Sequence, residues 1–513
     1  MLLLAAAPEA AGRAARTRVR SPSARRYAGG VERRERRAPA SAGPAEQGRA
    51  GPAVAGPPTR RQLLRGAGAA ASLGVLGALG TGAVAAGRST WSTVDPRTEI
   101  PLYAGTVAHD ASGERVLVGG RAPDLALTPG TRLAATLSEG SPVRERAADF
   151  AARTAPWRDR LRERLEADDR TGTLGADGAE DGAGGGADRL CDLADSALAD
   201  LWVLDDELPA PVAGWTANWR YVWPRDAAFC AVALARIGAV ERAVEVLAHF
   251  QELQQADGWF EARYVPGTGR APDRRAPQFD GTGLLLWASG EVVSAAGPSG
   301  GAIADRLAQL VTTSLGALHH GTAGGTALPP ASPDYWEVTE RSTTLWGMGA
   351  ALAGLRAGAA ITGTAGAADS ADVFAHLFAQ TFGRGGYQRY RDGGGADSAL
   401  ALFDATGGRG IVEPERLLAL RHQLARPGGG IAPGAAWKED GVSWTPSTSL
   451  LGLGLARAGE RRAAREILAW LAEHRTAEGS LPEKVLHDGR PAQVAPLAWT
   501  AANTLLALDA LAG

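Results

Sequence analysis

The chain has 513 residues, 45% of them hydrophobic and 21% charged, a globular composition long enough for one large domain or two ordinary ones. No Gly-X-Y period and no sustained heptad runs through it despite its 68 Gly, which excludes collagen and a long coiled coil. The net charge of −2 hides an asymmetry: residues 1–65 hold 14 Arg against 4 Glu, a net +10, so the rest carries −12 and offers no basic face to a nucleic acid.

Lysine occurs twice, at Lys438 and Lys484, beside 52 Arg, a bias of the kind that GC-rich coding produces. Two cysteines, Cys191 and Cys230, are too few for a cysteine-rich metal site or a disulfide framework, and leave one bond between them open.

Residues 1–58 are rich in Ala, Arg, Pro and Gly without apolar periodicity, so they are expected to form a disordered leader, or to precede the true start. Residues 59–88 read as a twin-arginine export signal: Arg60-Arg61, then a weakly apolar run over 66–80, then the small-residue site Ala83-Val84-Ala85. That run falls short of the roughly 20 residues that span a bilayer. A secreted or wall-associated protein, free of the membrane after signal removal, is the expectation.

Short β-like runs, Arg115–Val118 and Leu125–Leu127, lie in an irregular region over 89–140. A helix is predicted over 144–167, followed by a Gly-rich linker over 171–186. From residue 188 onward apolar residues recur at helical spacing in eleven segments: 190–204, 226–237, 240–255, 282–295, 302–318, 343–360, 371–380, 414–424, 448–458, 461–474 and 495–511. No convincing strand separates them. Helices apolar on broad faces, joined by long polar loops, suggest an all-α toroid of paired helices over 188–513.

Three segments carry candidate chemistry. Trp215–Phe229 packs four aromatics, two Arg and an Asp ahead of a helix, with Pro224 placed for a helix start and Asp226 available to cap it. Rings beside Arg and Asp suit a sugar, whose C–H faces stack on aromatics while its hydroxyls need polar partners. In Ser332–Arg341 the carboxyl of Glu337 lies between Trp336 and Val338, an apolar flank that raises a carboxyl pKa as a general acid requires; the plain alternative is a first-turn Glu. In Gly479–Arg490, Glu483 is followed by Lys484, which favours the ionised form expected of a base; the alternative is a solvated loop ion pair.

Other chemistries lack their parts. Neither a Gly-x-Ser-x-Gly elbow nor a phosphate-binding loop is present, and the adjacent His319-His320 would point about 100° apart on a helix. No cofactor and no metal is expected.

Trp219-Arg220-Tyr221-Val222-Trp223-Pro224-Arg225-Asp226, Gln278-x-Asp280-Gly281, Tyr335-Trp336-Glu337, Leu481-Pro482-Glu483 and Pro496-Leu497-Ala498-Trp499 follow one another in an order that resembles glycoside hydrolase family 15, the glucoamylase-like enzymes. The resemblance covers residues 188–513. It implies an (α/α)6 barrel and an inverting exo-hydrolase of oligo- or polysaccharides, with Glu337 as general acid and Glu483 as general base. It implies that Arg225 and Asp226 hold the terminal sugar, and that Trp219, Tyr221, Trp223, Asp280, Trp336 and Trp499 shape its pocket. An inverting pair stands roughly 6.5–9.5 Å apart, and 146 positions separate Glu337 from Glu483, so only the fold can unite them. Val338 replaces a second acidic residue of fungal members and Lys484 a Gln of amylolytic ones. The family also includes trehalases and glucodextranases, so the resemblance implies an α-glucosidic bond without fixing its linkage. The competing classes are a non-catalytic sugar-binding protein, and a phosphorylase or lyase on the same toroid. A phosphorylase would need a basic phosphate site in place of Glu483 and a lyase a Tyr/His pair.

Overall fold

The structure, a computed structural model, describes residues 99–171, 185–408 and 410–513. The expected leader and export signal, and most of the Gly-rich linker, lie outside the described residues. None of the described helices is long and apolar enough to cross a membrane.

The described chain opens with a hairpin of β1 (Thr106–His109) and β2 (Arg115–Val118), paired antiparallel with Thr106 opposite Val118. The long helix α1 (Pro142–Thr171) packs against the next helix and against the last. From α2 (Gly185–Asp205) onward the helices alternate between two concentric layers.

The inner layer is α3 (Pro224–Arg236), α5 (Phe279–Ala295), α8 (Leu345–Thr362), α10 (Leu400–Ala405), α12 (Thr445–Ala458) and α14 (Ala498–Ala512). Each touches the next, and α14 closes back on α3, so the ring is complete. The outer layer is α2, α4 (Val240–Leu253), α7 (Ala308–Gly321), α9 (Ala365–Phe378), α11 (Pro414–Gln423) and α13 (Arg461–Glu473), with the short α6 (Gly300–Arg306) leading into α7. This is an (α/α)6 barrel.

The two layers differ in sequence because they differ in what they touch. Inner helices meet neighbours on every side, so α5 and α14 are apolar nearly all round. Outer helices are amphipathic: α13 buries Ala464, Ile467, Leu468 and Leu471 and exposes Arg462 and Glu466, while its Arg461 and Arg465 pair with Asp168 and Asp169 of α1. Glycine sets the closest approach in the ring. A Cβ at Gly283 of α5 would overlap the Ala350 carbonyl of α8, so the two backbones touch there.

The sequence reading differs from this structure in four places. The predicted helix over 302–318 is interrupted at Leu307, between α6 and α7. The fourth inner helix, α10, is only six residues long, too short to show a helical period. Short strands do occur among the later loops: β3 (Gln388–Tyr390) with β4 (Gly393–Ala396), and a sheet of β5 (Ser443–Trp444), β6 (Lys484–Val485) and β7 (Pro491–Ala492). Cys191 and Cys230 are both buried and free, so the open disulfide does not form.

Because inner and outer helices alternate in direction, all six inner helices start at one end of the barrel. The loops that precede them therefore converge on a single mouth. Every segment singled out in the sequence reaches it.

Candidate active site

Arg225 lies in the first turn of α3 and is 4% exposed. Its Nη1 donates to Gln278 Oε1 and Asp280 Oδ2, both at 3.0 Å, and its Nη2 donates to Glu337 Oε1 at 2.7 Å. Asp226 flanks it, with Oδ2 3.7 Å from Nε. One buried cation thus ties together the openings of α3 and α5 and the loop before α8. Burial alone would lower its pKa, but Asp280, Glu337 and Asp226 outweigh that and raise it.

The same burial acts on the acids. It pushes the Asp226 carboxyl up to about 7, against the pull of Arg225. It also raises Asp280, which Arg225 and a 2.8 Å bond from Trp346 Nε1 counter. The helix-cap role expected of Asp226 is not what the structure shows: the cap position is Trp223, no side chain caps it, and Asp226 lies inside the first turn. Pro224 at the first helical position removes one of the unpaired N–H groups of the helix start, and the Asp226 carboxylate accepts from its own N–H.

Glu337 stands apart in backbone as well as charge. Its φ is +55°, a left-handed conformation that costs an L-residue about 1–2 kcal/mol. Its carboxylate accepts from Arg225, from Gln278 Nε2 at 3.1 Å and from Arg275 Nη1 at 2.5 Å. The apolar flank expected from its neighbours is absent, since a residue's sequence neighbours in a tight loop point elsewhere: Trp336 lies under the Arg389 guanidinium, 3.6 Å from its ring centroid, and Val338 is exposed.

A second buried arginine secures this loop. Arg389, 1% exposed, bonds both oxygens of Asp334 at 3.1 Å and Glu340 Oε1 at 2.6 Å, so it holds the chain three residues before Glu337 and three residues after it. Its Nη1 reaches Asp397 at 2.8 Å, and Asp397 in turn accepts from Tyr335 Oη at 2.5 Å. This clamp keeps Glu337 in its costly conformation.

Glu483 lies on the loop before α14. Burial raises its carboxyl pKa; Lys484, with Nζ 3.5 Å from Oε2, and a hydrogen bond from the Trp219 side chain pull it down. The sequence reading gave Lys484 the deciding influence, but here burial is the larger effect. The amide of Glu483 donates to the Val494 carbonyl at 2.8 Å, and its own carbonyl accepts from Thr445 N at 3.1 Å.

Aromatic rings join the two carboxyl-bearing loops. Trp336 meets Trp437 edge-on at 5.0 Å, Trp437 meets Trp444 at 5.3 Å, and Lys484 Nζ sits 4.3 Å over Trp444. Trp499, in the first turn of α14, lies 5.7 Å beneath Arg225 and packs on Trp346 and Tyr335. Trp219, Tyr221 and Trp223 gather with Val494 and Leu497 beside the Glu483 loop, and Arg263 stacks over Tyr221 and Trp223.

All ten site residues read from the sequence therefore reach the mouth. Arg225, Asp226, Asp280, Glu337 and Trp499 form one contact cluster; Glu483 meets Trp219 and is linked to Trp336 through Lys484 and two further tryptophans. Among the described residues no hydrogen bond joins the two carboxyls to each other. Arg275, Arg389, Asp334 and Asp397 were missed. Asp334 lies within the marked segment Ser332–Arg341, but Arg389 and Asp397 flank a glycine-rich turn without periodicity, and their burial is visible only in three dimensions. His319 and His320 fall in the last turn of α7.

No family profile and no curated protein matches the chain in sequence. Solved structures do. A glycosidase variant in complex with glucose superposes with a TM-score of 0.53 at 23% identity, over 63% of this chain and 97% of its own. The glucoamylase of Saccharomycopsis fibuligera superposes with a TM-score of 0.50 at 13% identity, over 63% of this chain and 94% of its own. At such identities the likeness is one of fold: the chain has the (α/α)6 architecture on which these glycosidases are built.

Proposed function

We propose that the chain is a glycoside hydrolase that cleaves α-glucosidic bonds from the non-reducing end with inversion. One observation carries the reading: Glu337 and Glu483, remote in sequence, stand on loops at one mouth of a closed helical ring, lined by tryptophans and by buried arginine and aspartate. In that arrangement Glu337 protonates the glycosidic oxygen as the bond to the anomeric carbon breaks, while Glu483 takes a proton from the water that attacks the opposite face. Arg225, Asp226 and Asp280 bind the hydroxyls of the terminal sugar. Arg225 Nε, Asp280 Oδ1 and Trp499 Nε1 accept or donate no hydrogen bond within the protein, which leaves hydrogen-bonding capacity there.

A second reading exchanges the two carboxyls. It is favoured by the burial that raises Glu483 while Glu337 faces two guanidinium groups.

The test is release of glucose from maltose, isomaltose, trehalose, soluble starch and dextran by residues 89–513, with the anomer followed by NMR. β-Glucose as the newly formed anomer, accompanied by an equal amount of α-glucose in the case of trehalose, supports inversion and identifies the linkage. α-Glucose as the only newly formed anomer refutes inversion, and no release from any substrate would favour a binding role. Export by the twin-arginine route is part of the proposal: a variant with Arg60→Lys and Arg61→Lys should stay in the cytoplasm, and its continued export would refute that part.

A further inference from the structure

The irregular segment ahead of α1 makes polar contacts both with α2 and with the loop that carries Glu483. Arg132, 4% exposed, donates through Nε and Nη2 to Oδ1 of Asp200 at 2.9 and 2.7 Å. The same guanidinium reaches the carbonyls of Glu478 at 3.3 Å and Gly479 at 3.2 Å. Asp200, on α2 and fully buried, completes the node: its Oδ1 accepts from Ser480 Oγ at 2.6 Å and its Oδ2 from Leu481 N at 2.8 Å. Thus four consecutive residues, Glu478 to Leu481, are fixed by one Arg–Asp pair, and Glu483 follows two positions later.

The hairpin adds further contacts. Thr106 Oγ1 lies 2.6 Å from Ser480 Oγ, and Thr476 Oγ1 donates to the Gly105 carbonyl at 2.5 Å. The Glu478 side chain lies over Gly105 and Gly119, where a Cβ on either glycine would overlap its carboxylate. On the return arm of the loop, Tyr103 N donates to the Gln493 carbonyl and Gln493 N to the Pro101 carbonyl, both at 3.0 Å. The next residue, Val494, accepts the amide of Glu483. Both arms of the loop are therefore held from the same side.

We propose that residues 101–134 are a working part of the reaction site, and that Arg132 is a positioning residue for Glu483, acting through Asp200 and the loop 476–483. The inference rests on the reading of Glu483 as a reacting carboxyl. It assigns to the N-terminal segment a purpose that its sequence does not announce. The physical argument is that a reacting group must be held within a fraction of an ångström, and that a displacement of about 1 Å can cost on the order of a hundredfold in rate.

Two variants of the full chain test it. Arg132→Lys keeps a cation against buried Asp200, so the charge stays compensated, but one ammonium cannot reach Asp200 and both carbonyls at once. Thr106→Val removes the contact with Ser480, together with a 3.3 Å bond to the neighbouring Val107 carbonyl inside the hairpin, and decides the matter if Arg132→Lys fails to fold. The expected result, on the substrate that the wild type cleaves, is a kcat reduced about tenfold or more with KM within about twofold, in variants whose thermal unfolding is cooperative. Amide hydrogen exchange should rise over 478–485 and stay unchanged over α8. Folded variants with wild-type kcat would overturn the proposal, as would unchanged exchange over 478–485. A wild type that cleaves no glycoside defeats the hydrolase reading instead, and exchange then judges the brace alone.

Discussion

Arg225 and Glu337 meet at 2.7 Å across 112 positions of chain. They do so because α3 and α8 start at the same end of the ring, and Glu337 lies on the loop that leads into α8. Through Gln278 and Asp280 the same guanidinium reaches the start of α5, so the floor of the mouth is built around a single buried charge.

Arg225→Met should therefore destabilise the fold by about 3–5 kcal/mol, because it strands Asp226 and Asp280 as uncompensated buried acids. Arg225→Lys should recover part of that loss, since it restores the charge but not the fork that serves three partners. Denaturant unfolding of the two variants checks this. A methionine variant as stable as the wild type would contradict the electrostatic account of the floor.

Stability should depend on pH through Asp226. Its carboxyl is held up at about 7 in the folded chain, against 3.8 for the free group. Between those values the folded protein binds a proton that the unfolded chain has lost. This group's contribution to stability is therefore full at low pH and declines as pH rises through that window. Asp226→Asn cannot titrate. Unfolding free energies at pH 5 and pH 8 should fall more for the wild type than for the variant; equal changes would remove Asp226 as the source.

Arg389 should matter to turnover although it lies beneath the loop and not in the mouth. Arg389→Lys loses simultaneous hold on Asp334, Glu340 and Asp397, which frees Glu337 from its left-handed conformation. We expect kcat to drop by about 10- to 100-fold while the protein stays folded. Steady-state kinetics together with near-UV circular dichroism of the tryptophans would show it. Wild-type kcat in a folded variant would mean that the clamp serves stability alone.

The ring itself is testable at Gly283. A methyl group there meets the Ala350 carbonyl, a backbone atom that a rotamer change cannot move aside. Gly283→Ala should cost about 1–3 kcal/mol by overpacking, despite the better helix propensity of Ala. A melting temperature at or above that of the wild type would show that α5 and α8 separate easily.

The sequence made the helical layers legible because burial on one side or on all sides leaves a periodic or continuous apolar record, as in α13 and α5. It marked the mouth because Trp, Arg and acidic residues concentrate in loops such as 215–226 and 332–341. It did not show α10, which is shorter than two turns, or the break at Leu307. Nor did it show which way a loop side chain points: Glu337 was read by its neighbours Trp336 and Val338, whereas its carboxylate meets Arg225, Arg275 and Gln278 from other segments. The arginines that hold the two carboxyl loops, Arg389 and Arg132, were invisible for a related reason. In a chain with 52 Arg, nothing local separates the buried ones from the rest.

The most direct test of the central claim compares Glu337→Gln with the wild type on the cleaved glucoside and on α-glucosyl fluoride, whose leaving group needs no proton. Glu337 as general acid predicts that the variant loses glucoside cleavage and retains turnover of the fluoride. Full activity of the variant on the glucoside would contradict the assignment of Glu337 to the chemistry; loss of the fluoride reaction as well would move the acid to Glu483.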